Sequence, residues 1–150
     1  FSLIIAPDPK LCYGKYTSQV NKAVKKFNEN DRKDGLRDLC EIFESAIEDL
    51  GARLCKKGRF KTATEQSFMN LDLNGLINLL GANDAYHSNL VVVDDTLKTD
   101  LHAFRNARNL VDHPVRSKQE ENRRQIQLPD KMMLGIRLIH VIEKLTKKIK

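Results

Sequence analysis

Between Arg32 and Lys57 the chain places an apolar residue every three or four positions: Leu36, Leu39, Cys40, Phe43, Ile47, Leu50 and Leu54. That spacing matches 3.6 residues per turn and gathers them on one face of a single long helix. Asp38, Glu41, Glu44, Glu48 and Asp49 fill the opposite side, which reads as a solvated face. Lys56 and Lys57 suit the negative end of the helix dipole, and Gly58 is a natural stop. A helix this long with one apolar side sets the architecture, and the rest of the chain offers helices to cover it.

Residues 1–16 read as an N-terminal arm or linker: Ser2–Ala6 is briefly apolar, Pro7 and Pro9 interrupt it, and Gly14 follows. Residues 17–150 read as one helical domain. A first helix begins near the capping residues Thr17 or Ser18, with Val20, Ala23, Val24 and Phe27 inward. Residues 59–70 carry no clear period. A short helix over 71–80 buries Leu73, Leu76, Ile77 and Leu80 and closes at Gly81. Leu90–Val93 is either a brief strand or a hydrophobic entry to the next helix, for which Asp94, Asp95 and Thr96 offer caps. The periodicity predicts one helix over 96–112, a long polar connection over 114–128, and a last helix from Pro129 or Asp130 with Met132, Ile136, Leu138, Ile139, Ile142 and Leu145 inward. The expected fold is all-α, a bundle of about five helices.

The 150 residues suffice for one ordinary domain, and with six Phe, three Tyr and no Trp the core falls to Leu and Ile. The longest apolar run, Leu90–Val93, is too short to span a bilayer, so no membrane association is expected. The chain opens on Phe1 rather than Met, as expected of a domain cut from a longer protein or of a processed product. A net charge of +6 favours acidic partners such as RNA or DNA. Cys40 and Cys55 share the long helix, roughly 22 Å apart along its axis, and cannot bridge. Free thiols in a reducing cytoplasmic compartment are the expectation. No Cys or His cluster has metal spacing, so neither a metal nor another cofactor is expected.

The most specific chemistry lies in Arg108-Asn109-Leu110-Val111-Asp112-His113, followed at once by Pro114. Leu97, Leu101, Phe104, Arg108 and Val111 recur at spacings of four, three, four and three. Arg108 thus falls inside an apolar stripe. A guanidinium keeps its charge and is costly to bury alone, so it must meet a carboxylate, a phosphate or a subunit seam. Pro114 restricts His113 to extended backbone. That matters because residues five apart on an ideal helix lie about 140° apart and converge only if the helix has already ended.

This arrangement resembles the HEPN superfamily, small helical bundles with an Arg-(four to six residues)-His motif. The match is Arg108, four residues and His113, with the polar Asn109 following the arginine. The resemblance implies metal-independent endoribonuclease activity at a composite site between two facing copies. It implies the RNA 2′-hydroxyl as nucleophile and a 2′,3′-cyclic phosphate product. Arg108, Asn109 and His113 would then be catalytic, with Arg105 and Arg116 as candidate RNA contacts. His113 would move a proton and Arg108 would hold the phosphate. Asn109 would bind the phosphate or orient the histidine. The family setting adds a toxin–antitoxin or antiviral-defence effector, a homodimer, and an antitoxin or regulatory domain as partner. Plainer readings stand beside these. Arg108 can pair with Asp112 at i, i+4, His113 can cap a helix end, and Arg105 can be a solvated charge. His87 and His140 read as structural. A non-catalytic HEPN module that binds nucleotide, nucleic acid or protein is the alternative function, and a helical oligomerisation domain is a third.

Overall fold

The computed structural model describes residues 4–150. Ser2 and Leu3 of the apolar arm lie outside the described residues. The helices in order are α1 (Thr17–Asn28), α2 (Arg32–Lys56), α3 (Thr62–Phe68), α4 (Leu73–Leu80), α5 (Asp95–Arg105), α6 (Arg108–Asp112) and α7 (Lys118–Lys148). Five of them have at least the 8 residues of α4, while α3 and α6 are shorter. Among the described residues there is no β-strand, only an isolated bridge between Phe60 and Tyr86. The fold is an all-α bundle.

α2 is the axis, packed by α1, α4, α6 and α7. Leu36, Leu39, Phe43, Ile47, Leu50 and Leu54 are buried along it as their spacing requires. The helix ends at Lys56, and Gly58 takes the left-handed conformation with φ +65° that favours glycine. Two glycines set how close the neighbours come. A Cβ on Gly35 would stand 2.7 Å from the Phe27 backbone nitrogen, so α1 and α2 touch backbone to backbone. A Cβ on Gly135 would stand 2.4 Å from the Phe104 ring, which wedges between α2 and α7. Phe104 also meets Phe43 edge to face, with centroids 4.9 Å apart. The Cys40 thiol is pushed up to about 12 by burial and is an inert core group.

The described part of the arm lies against the bundle. Asn28 clasps Ile5 through both backbone groups, at 2.8 and 2.9 Å, and Tyr13 and Tyr16 are buried. The Cys12 backbone N–H donates to His140 Nδ1 at 2.8 Å, which gives this histidine a structural role. Thr17 is the first residue of α1 rather than its cap, and its hydroxyl donates to the Gly14 carbonyl. Residues 59–70, which carry no clear period, contain α3. Leu90–Val93 forms neither strand nor helix; Val93 is buried and Asp94 caps α5 by accepting from the Leu97 N–H at 2.8 Å.

Two expectations are corrected where the motif lies. The predicted helix over 96–112 is broken at Asn106–Ala107. Here the backbone changes from i−4 to i−3 bonding: Ala107 N–H to Phe104 O at 2.8 Å, Asn109 to Asn106 at 3.0 Å, and Leu110 to Ala107 at 3.0 Å. That tighter turn separates α6 from α5. The predicted polar connection over 114–128 shrinks to residues 114–117, and α7 runs through Pro129. Ser117 caps α7, accepting from the Glu120 N–H at 3.1 Å. Side-chain bonds from Arg124 to Glu120 and from Gln125 to Glu121 then brace its first turns. Lys118, Arg123 and Arg124 therefore sit on a helix, and Arg116 alone of these basic residues stays in the connection.

Candidate functional site

The site is built where α6 ends against α2 and the start of α7. α6 stops at Asp112, and His113 is extended at φ −85° and ψ 139°, as Pro114 demands. His113 Nε2 lies 3.1 Å from Asn109 Oδ1. An amide oxygen only accepts, so the nitrogen facing it carries the proton in the neutral ring, and Nδ1 keeps the lone pair. The ring is exposed. An oriented, solvent-facing imidazole with one free basic nitrogen can accept a proton from a substrate hydroxyl.

Arg108 meets a carboxylate, one of the three partners its place in the stripe demands. Its Nη2 lies 3.2 Å from Glu44 Oε1 on α2, and each side chain keeps about a third of its surface, 35% and 36%. Partial burial raises the Glu44 carboxyl, the Arg108 charge opposes this, and Glu48 and Glu41 add to the rise. The acidic side of α2 is thus not simply solvated: Glu44 binds Arg108, Asp38 binds Lys26, and Asp49 binds Lys15 and Tyr16. The i, i+4 pairing of Arg108 with Asp112 does not form. Asp112 instead accepts from Arg37 Nε at 3.0 Å, while Arg37 Nη2 donates to the Val111 carbonyl at 3.1 Å. Arg37 therefore holds the C-terminal end of α6 against α2.

On the other side, Arg124 Nη1 donates to the His113 carbonyl at 2.5 Å, and Nη2 reaches Pro114 O at 3.4 Å and Glu120 Oε1 at 2.8 Å. Glu120 Oε2 accepts from the Arg116 backbone N–H at 3.0 Å. That bond, with the Arg124 charge beside it, holds the Glu120 carboxyl below its usual range. His113, Pro114, Arg116, Glu120 and Arg124 line an open cavity of about 410 Å³.

The motif residues are brought together unequally. Asn109 and His113 are bonded, and Arg116 shares the cavity wall with His113. Arg108 lies on the same short helix but is turned to Glu44, and among the described residues no hydrogen bond joins it to His113. Arg105 is on α5, its Nε donating to His102 Nδ1 at 3.3 Å, while His102 Nε2 faces Asn78 Oδ1 at 2.9 Å. Sequence reading missed Glu44, Arg37 and Glu120 as partners of the motif and misplaced Arg124. Only Glu120 had a readable local signal, the Ser117-x-x-Glu120 capping pattern.

The His102 contact carries a pH dependence. Burial first, then the Arg105 and Lys98 charges, hold its ring below the ordinary 6.5. As pH falls, the unfolded ring binds its proton before the folded one does. Holding the ring in this place therefore costs no stability above about 6.5, and stability is lost as pH falls below it, because burial and the two neighbouring charges penalise the protonated ring. Urea midpoints should fall from about pH 7 to about pH 5, and His102→Gln should flatten that slope. Parallel slopes in the two proteins would refute the assignment.

Among the described residues no group of three or more His, Cys, Asp or Glu could hold a metal ion, and no helix is long and apolar enough to cross a membrane. Comparison with family models, with curated proteins and with solved structures finds no match to this chain.

Proposed function

We propose that the chain is a metal-independent endoribonuclease domain of the HEPN type, acting as a homodimer. The observation that carries this reading is the Asn109–His113 bond at a helix end stopped by Pro114. It leaves one histidine nitrogen free to take a proton, in a wall shared with Arg116. His113 Nδ1 removes the proton of an RNA 2′-hydroxyl, whose oxygen attacks the adjacent phosphorus. The bond to the 5′-oxygen breaks, that oxygen takes up a proton, and a 2′,3′-cyclic phosphate remains. Two facing copies supply two imidazoles, one as base and one as acid. Arg108 stabilises charge on the phosphoryl oxygens, exchanging its Glu44 contact for the phosphate. Arg116 and Arg105 contact flanking RNA. A toxin or defence effector with an antitoxin or regulatory partner is the setting that fits this chemistry.

Purified protein incubated with a mixed RNA pool in excess chelator should still cut, and the new ends should resist ligation until the cyclic phosphate is opened. Cleavage abolished by EDTA and restored by magnesium would contradict the reading. Light scattering at micromolar protein should give the dimer mass, and a strict monomer would remove the composite site.

A second reading has its own support. With Arg108 held by Glu44, the arginine can act as a tie between α6 and α2 rather than at a phosphate, and the domain is then a non-catalytic HEPN module that takes a nucleotide, a nucleic acid or a protein elsewhere on its surface. Nucleotide binding without RNA turnover selects it.

A further inference from the structure

We propose that Arg124 is a positioning residue for His113, holding the backbone from which the imidazole projects. The inference rests on the reading of His113 as the proton-transfer group. His113 and Pro114 lie beyond the last turn of α6, where the helix no longer fixes the chain. Pro114 has no N–H to give. The carbonyls of these two residues are instead taken by one guanidinium from α7, at 2.5 and 3.4 Å. The same guanidinium is anchored by Glu120 at 2.8 Å, and Glu120 in turn fixes the Arg116 N–H at 3.0 Å.

With Arg37 gripping Val111 and Asp112 from α2, four consecutive residues are held by two arginines on two different helices. The Cα of His113 is thereby set relative to Asn109, whose side chain sets the ring. A planar fork can serve two carbonyls and a carboxylate at once, whereas an ammonium cannot reproduce that geometry. The Arg124 side chain keeps only 12% of its surface and both of its terminal nitrogens are engaged, so it is unlike the exposed Arg116, which is free to approach a phosphate.

The test uses the whole chain carrying Arg124→Lys and, separately, Glu120→Gln, a milder change on the surface. The first readout is the NMR contact between the His113 ring protons and the Asn109 side chain. His140 and His102 serve as internal controls. In Arg124→Lys the His113 contact should be lost or split into several sets while the two control rings keep their shifts. Glu120→Gln should give a smaller change in the same direction. The second readout is RNA cleavage: kcat should fall by on the order of tenfold or more with KM within about twofold, because misplacing a reacting group costs rate rather than binding.

A rise in KM that lysine rescues would make Arg124 a phosphate ligand and overturn the proposal. So would an unchanged His113 ring in the folded variants, or a collapse of all three histidine signals together in both. The ring measurement needs no RNA. A parent chain that cuts nothing, with the His113 contact still lost in Arg124→Lys, would sink the ribonuclease reading and leave the positioning role standing.

Discussion

Arg108→Ala should lower RNA turnover by on the order of 10²-fold or more, the scale seen when one charge-stabilising donor is removed from a reacting centre. Arg108→Lys should rescue poorly, because an ammonium lacks the planar pair of donors that grips two phosphoryl oxygens. The loss should appear in kcat more than in KM, since the interaction strengthens only as charge builds on the equatorial oxygens. The Glu44 contact sharpens the expectation. Glu44→Gln leaves Arg108 without a charged partner but keeps the hydrogen-bonding shape of the side chain. It should preserve cleavage or raise it, because the phosphate no longer competes with a carboxylate. If Arg108 serves only to pin α6 to α2, Arg108→Ala and Glu44→Gln should instead weaken stability and activity together. Urea titration beside the kinetics separates these outcomes.

Phe104→Ala should cost about 3–5 kcal/mol, the usual range for emptying an aromatic site in a close-packed core. For a domain of this size that lowers the melting temperature by on the order of 10 °C. The ring is fully buried, meets Phe43 edge to face, and fills the space that Gly135 leaves open. The Phe104 carbonyl also accepts the Ala107 N–H that starts the tight turn into α6. Loosening this joint should therefore disturb the motif as well as the core, so turnover should fall further than the unfolded fraction explains. A loss below about 1 kcal/mol would show that the core repacks freely and that Phe104 is not a keystone.

What the sequence revealed of this fold follows the strength of its apolar period. α2 was legible because its seven apolar positions all share one face, and Gly58 marks its end. The C-terminal half of α7 was legible for the same reason, through Met132, Ile136 and Ile139. Its N-terminal half was not. Lys118–Gln127 has no buried stripe, and its helix rests on the Ser117 cap, on side-chain pairs one turn apart, and on Glu121 meeting Lys33 of α2 at 3.0 Å. The break at Asn106–Ala107 was hidden because the apolar spacing continues straight across it. Buried Ala107 and the i−3 hydrogen bonds make the turn, and neither shows in a pattern of residue types. At the site, the motif and the need of Arg108 for a partner could be read locally. The identity of that partner could not, because Glu44 looks like any other acid on the far side of α2.

The most direct measurement of the central claim is cleavage of the mixed RNA pool, in chelator, by the parent chain and by His113→Ala at equal concentration. Both proteins must show the same helical circular dichroism and the same mass in solution. The parent should leave 2′,3′-cyclic phosphate ends, and His113→Ala should be slower by on the order of 10²-fold or more. A folded His113→Ala protein that cuts as fast as the parent would contradict the claim.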